Sequence, residues 1–257
     1  MYKRQAQNVA NTWNALSGLG IKPGVALQIE LLRASERVLP SSTAQGVANA
    51  WNALKDLGIE PGEALQSELL RATERVLPSS TAQGVAITWN ALSGLGIQPG
   101  EALKSKLLRA TERLLPSSNA QEVAITWNAL SGLGIQPGEA LGRTLVERTQ
   151  QVASTMAGQD VSSTMHAIAS LAVPHADRAR LALQAAAAAL LQTSSLGTQA
   201  LCNCLWALAA GQGASAVAPA ADDSTLVEEL QSALLPQQCK LSQMHLRQVL
   251  HSTLFPR

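Results

Sequence analysis

Between residues 45 and 58 the apolar side chains Val47, Ala50, Trp51, Leu54 and Leu57 recur at steps of three and four. That spacing puts them on one side of an α-helix, which turns once in about 3.6 residues. Leu65, Leu69, Ala72 and Val76 repeat the pattern over Glu63–Leu77, and Leu70 and Leu77 broaden the stripe. The two runs are joined by Gly58-Ile59-Glu60-Pro61-Gly62, with Gly58 placed to end the first helix and Pro61 to begin the second. Pro78 closes helix B, and Ser42 with Gln45 downstream reads as a capping box for helix A. Nowhere do apolar and polar residues alternate with the period of two that a half-buried strand needs, so propellers and β-solenoids are excluded.

This helical pair recurs. Trp13, Trp51, Trp89 and Trp127 lie 38 residues apart, and residues 45–82 match residues 83–120 at 29 of 38 positions. A fixed period in the range of roughly 20–50 residues marks a repeat architecture, in which each unit buries its apolar face only against its neighbours. The expected fold is all-α, a right-handed α-solenoid of tandem 38-residue helix–turn–helix repeats. Residues 1–158 hold four closely similar repeats, with the first residues reading as the cut edge of an array. Residues 159–235 hold two divergent ones, with Met165 in the tryptophan register, helix B at Asp177–Leu191, and a Gly/Ala/Pro loop near 211–221 before a helix near Ser224–Leu235. Residues 236–257 read as a further amphipathic helix, cut short at Arg257. The tryptophans are expected to fill the hairpin interior and not to stack on bases, so that Trp89→Ala should loosen two adjacent repeats.

Opposite the core stripe, helix A carries Gln45, Asn49, Asn52 and Asp56, matched by Gln7, Asn11, Asn14 and Gly18, by Gln83, Ile87, Asn90 and Gly94, and by Gln121, Ile125, Asn128 and Gly132. Amide side chains hold a donor and an acceptor together, which suits the edge of a nucleobase. Asn14, Asn52, Asn90 and Asn128 form a constant set, while Asn11, Asn49, Ile87 and Ile125 vary, as one-base-per-repeat reading requires. A ladder of asparagines bonded from helix to helix is the structural alternative, and the sequence leaves both open. On helix B, Glu68, Arg71, Glu74 and Arg75, with Arg109, Glu112 and Arg113, read as a solvated outer face of partly cancelling charge. Phosphate contacts would have to come from helix B termini or from backbone amides at helix N-termini.

Composition narrows the chemistry. The net charge is +1, and it divides as 14 Lys/Arg against 12 Asp/Glu up to residue 158 and 5 against 6 beyond it. No basic block exists, so any nucleic-acid binding has to come from local arrangement. The apolar stretch at Leu181–Leu191 is too short to span a bilayer. Three cysteines, Cys202, Cys204 and Cys239, have no framework spacing; they read as buried small residues in a reducing compartment, not as metal ligands. His166, His175, His245 and His251 have no matched acid or nucleophile, and no phosphate loop, nucleophile elbow or dinucleotide fingerprint occurs. No catalytic activity, cofactor, metal, membrane or small-molecule substrate is expected.

The stretch Gln45-Gly-Val-Ala-Asn-Ala-Trp-Asn-Ala-Leu-Lys-Asp-Leu-Gly58, and still more Cys202-Asn-Cys-Leu-Trp-Ala-Leu-Ala209, resembles the octotricopeptide repeat family. The family's frequent Trp-Ala-Leu is met at Trp206-Ala207-Leu208, whereas the first four repeats carry Asn in that place and Trp one residue earlier. The resemblance implies binding of single-stranded RNA in a chloroplast or mitochondrion, in maturation, stability or translation of particular transcripts. Such proteins often end in a RAP domain, which is not present here, although Leu241–His245 looks like the helix that precedes one. Carried over residue by residue, it implies base contacts from Asn11, Asn49, Ile87 and Ile125 with their neighbours Asn8, Gly46, Gly84 and Glu122, beside the constant Asn14, Asn52, Asn90 and Asn128. A protein–protein scaffold of the helical-hairpin type, with other proteins as partners, is the alternative that the near-neutral charge favours.

Overall fold

A computed structural model describes residues 2–212 and 221–236, and no strand occurs among them. The terminal helix expected over 236–257, with Cys239, His245 and His251, lies outside the described residues apart from its first position, as does most of the expected 211–221 loop. Twelve helices alternate as first (A) and second (B) members of six hairpins among the described residues. The A helices are α1 (Tyr2–Gly18), α3 (Ala44–Leu57), α5 (Ala82–Gly94), α7 (Ala120–Gly132), α9 (Gly158–Ser170) and α11 (Thr198–Gln212). The B helices are α2 (Val25–Val38), α4 (Glu63–Val76), α6 (Glu101–Leu114), α8 (Gly138–Val152), α10 (Asp177–Gln192) and α12 (Ala221–Leu234). This is the all-helical, sequentially packed order of an α-solenoid of repeats.

The helices gather into two compact units, Met1–Ser118 and Asn119–Arg257. The division by packing therefore falls after the third repeat, while sequence similarity weakens only after residue 158. In the first unit α3 packs between α1 and α5; in the second α9 packs between α7 and α11. B helices touch one another more sparsely, so the A helices form the denser layer of each unit.

Each of the first four repeats is held by one buried hydrogen-bond relay. Trp13, Trp51, Trp89 and Trp127 are at most 1% exposed. Their indole Nε1 atoms donate to the hydroxyls of Ser35, Thr73, Thr111 and Thr149 on the facing B helix, at 2.7, 2.9, 2.9 and 2.8 Å. Each hydroxyl in turn donates to the carbonyl one helical turn back, on Leu31, Leu69, Leu107 or Leu145, at 2.8 Å. A buried N–H without such a partner would cost the desolvation of a polar group, so the pairing fixes how the two helices face each other.

The ends differ from the sequence expectation by one residue. Thr43, not Ser42, is the N-cap of α3, accepting from Gly46 N at 3.2 Å, and Ser42 is buried with its hydroxyl donating to Val38 O. The reciprocal capping box exists at Asn119 and Glu122. Gly58 does end α3: at φ 61° it lets Ile59 N reach back to Leu54 O at 2.8 Å, a turn that favours glycine because a Cβ there is crowded. Pro61 stands one residue before the N-cap Gly62 and is buried, and Pro78 sits inside a 3₁₀ turn, Leu77–Ser79, that continues α4. Neighbouring repeats are clamped by arginines that sequence placed on a solvated face. Arg75 Nη2 donates to Leu39 O and Ser42 O at 2.9 and 2.8 Å, and Arg113 Nη2 donates to Leu77 O at 3.2 Å. Arg71 and Glu68 do pair on that outer face, at 3.4 Å.

Candidate functional site

The polar face of the A helices recurs repeat after repeat and carries side chains that the hairpin core does not use. A single capping bond sets its register: Val47, Val85, Val123, Val161 and Leu201 donate their N–H to Thr43 O, Thr81 O, Asn119 O, Ala157 O and Gly197 O. Counted from these caps, one exposed position is Gln45, Gln83, Gln121, Gln159 and Gln199. The position expected to vary is Asn49, Ile87, Ile125, Ser163 and Asn203, each half-buried. The constant position is Asn52, Asn90, Asn128, and then His166 and Trp206. In the first repeat, aligned through its tryptophan bond, the same places hold Gln7, Asn11 and Asn14, all exposed.

In the first unit, the side chains at these places are only partly committed. Gln7 Nε2 donates to Asn11 Oδ1 at 2.8 Å, and Asn52 Nδ2 donates to Asp56 Oδ2 at 2.7 Å. Asp56 also accepts from Ser17 Oγ at 2.9 Å and pairs with Lys55 Nζ at 2.7 Å, tying α1 to α3. The Lys55 stem lies so close over Gly94 that a Cβ there would come within 2.8 Å of its Cγ, whereas Gly18, at the same place in the first repeat, has open space around it. No hydrogen bond links Asn14, Asn52 and Asn90 to one another among the described residues, so the ladder bonded from helix to helix is not formed.

The remaining expected contacts cluster at the first turn of each A helix. Asn8 is exposed on α1, and its carbonyl accepts from Thr12 Oγ1 at 2.9 Å. The N–H groups of Gly46 and Gly84 serve the Thr43 and Thr81 caps. In the second unit, Glu122 turns its carboxylate back onto Asn119 N at 2.9 Å, an end-capping role that competes with any base contact, while Ile125 is half-buried and Asn128 exposed. Thr88 and Thr126, one position beyond Ile87 and Ile125, point the other way and are buried.

Two features of the second unit were not read from sequence. His166 and Trp206 stack, with ring centroids 4.3 Å apart and planes 31° from parallel. The clue was in the register: Ala157 to Gly197 is 40 residues against the usual 38, because α10 has 16 residues where α4 and α6 have 14. Burial holds the His166 imidazole below its ordinary pKa and so favours its neutral form, and burial raises the Asp160 carboxyl against the lowering effect of its bond to the Ala157 backbone. Second, a groove of about 880 Å³ lies on the B side, between Pro137–Gln150 of α8 with its lead-in and Val173–Arg178.

Cys202 and Cys204 are buried free thiols, and burial pushes Cys204 up to about 12, far from a reactive thiolate. No group of three metal-ligating side chains occurs among the described residues, and no described helix is long and apolar enough to cross a membrane.

No protein-family model matches the chain, and no curated protein matches it.

Proposed function

We infer that the protein is a sequence-selective reader of single-stranded RNA, with each A helix addressing about one base. The observation that carries this reading is the polar A face, where Asn14, Asn52 and Asn90 of the first unit recur in register with no hydrogen bond to one another among the described residues, and one neighbouring position changes from Asn49 to Ile87 and Ile125. Exposed amides on a rigid helix present fixed donor–acceptor pairs, which is the chemistry that distinguishes base edges. Three repeats in each unit give about three nucleotides per unit on this scheme. Action on organellar transcripts, in a chloroplast or mitochondrion, follows from the octotricopeptide resemblance. The net charge of +1 and the paired charges of the B helices favour the second reading, a protein scaffold.

Selection of the purified chain against a randomised single-stranded RNA pool at two salt concentrations, with duplex DNA as control, tests the proposal. A short enriched motif is expected, and Ile87→Asn should change the preferred base at one position of it while leaving the others. An absence of enrichment at low salt, with the helical circular-dichroism signal intact, would move the assignment to the protein scaffold.

A further inference from the structure

We propose that the stacked His166–Trp206 pair is a nucleobase-stacking platform, so that the last two repeats hold one purine of the RNA by ring contact where the earlier repeats use amides. The inference rests on the RNA-binding reading above and adds a distinct mode of contact to it.

The register separates this pair from the core. In the first four repeats the tryptophan fills the hairpin interior, and the next residue, Asn14, Asn52, Asn90 or Asn128, stands on the polar face. In the fifth and sixth repeats the interior place is filled by Met165 and Leu205, both buried. His166 and Trp206 follow them and occupy the asparagine place, so neither ring is needed to fill the hairpin. Their half-buried stack therefore spans α9 and α11 in the register where the amides lie.

Hydrogen bonding draws the same distinction. Each of the other four indoles has its N–H bound to a buried hydroxyl. Trp206 Nε1 has no partner among the described residues, so the ring offers a donor as well as a π face. Burial lowers the His166 pKa and so disfavours a charge on the stack. Rings 4.3 Å apart leave no room for a base between them, so the base stacks on an outer surface of the pair. Stacking tolerates any base and gains from the larger ring system, which favours a purine.

The arrangement provides its own reporter. Of the five tryptophans, four are at most 1% exposed and Trp206 is half-buried, so it is the one with ring surface open to solvent. The full chain is titrated with labelled hexanucleotides of adenosine, read by anisotropy for binding and by tryptophan emission for stacking, and compared with hexamers carrying one abasic site at either end. We expect adenosine hexamers to quench Trp206 emission, one of the two abasic probes to abolish the quench, and Trp206→Leu to weaken binding about tenfold while Trp206→Phe restores most of it. Binding by anisotropy with Trp206 emission unmoved and Trp206→Leu at wild-type affinity would overturn the platform and leave the RNA reading standing. No anisotropy change with any hexamer, or with the motif selected from the pool, would overturn both.

Discussion

A hydroxyl on helix B decides whether a buried indole is a gain or a burden. Thr73 Oγ1 accepts the hydrogen bond of Trp51 Nε1 and donates its own to Leu69 O, so Thr73→Val leaves the buried indole N–H without a partner while Leu69 O keeps its helical backbone bond. We expect a loss of about 1–3 kcal/mol, read as an earlier urea midpoint. Thr164 supplies the control with the opposite sign. Its hydroxyl is buried with no partner among the described residues, so Thr164→Val removes an unsatisfied group and should add about 1 kcal/mol of stability, read as a later midpoint. Equal losses from both substitutions would mean that hydroxyl bonding is not what the relay contributes. Ala172 offers a backbone counterpart. It adopts φ 48° in the turn where Gly58, Gly96 and Gly134 hold 61–66°, so Ala172→Gly should relieve about 1 kcal/mol of left-handed strain and raise the melting temperature. The tryptophans could be read as core from spacing alone. Their hydroxyl partners could not, because Thr73 sits among polar residues on helix B and only the constant separation of the two, seen in all four repeats, betrays the bond.

At the level of helices, the pattern gave nearly every element and missed what joins them. The apolar stripes of α3 and α4 were legible because a period of 3.6 has few alternatives over 14 residues. Which serine or threonine caps was not, since Ser42 and Thr43 are adjacent and both can bond backward or forward; burial of Ser42 against Val38 decides it. The same holds for Arg75, whose helical spacing pairs it with neighbours on its own helix while its actual partners, Leu39 O and Ser42 O, belong to the preceding repeat. Contacts between repeats depend on the stacking geometry, which no single repeat encodes. The junction of α9 with the turn before α11 is the sharpest case. Gly158 is buried, and a Cβ there would meet Ser195 O at 2.8 Å and Leu196 Cδ2 at 2.9 Å. A backbone atom cannot swing aside as a side-chain tip can, so Gly158→Ala must push the helix and turn apart. We expect a cost of about 1–3 kcal/mol from overpacking. Gly84→Ala, which meets only Thr81 Oγ1 at an ordinary 3.5 Å, should cost far less in the same denaturation assay.

Across the whole chain, a solenoid has no single core, and its stability is a sum of repeat and nearest-neighbour terms. The consequence is that damage should stay local. Trp51→Ala empties an interior site in the second repeat, at a cost of about 3–5 kcal/mol, in a unit that Met1–Ser118 closes on itself. Hydrogen exchange followed by mass spectrometry should show protection falling in α3 and α4 and in the helices packed on them, α1, α2, α5 and, more weakly, α6. The first repeat should exchange soonest even in the parent chain, because Leu19, Ile21 and Leu27 stand exposed where their counterparts Leu57, Ile59 and Leu65 are buried. In the second unit, α9 and α11 should keep their protection, and with it the His166–Trp206 stack. That independence has a functional edge. If each unit holds its own short stretch of RNA, Trp51→Ala should weaken binding of a long oligonucleotide yet leave the quenching of Trp206 by a short one unchanged. Loss of protection in both units together would instead mean that the chain unfolds as one cooperative body, and recognition by its two halves could not then be separated by mutation.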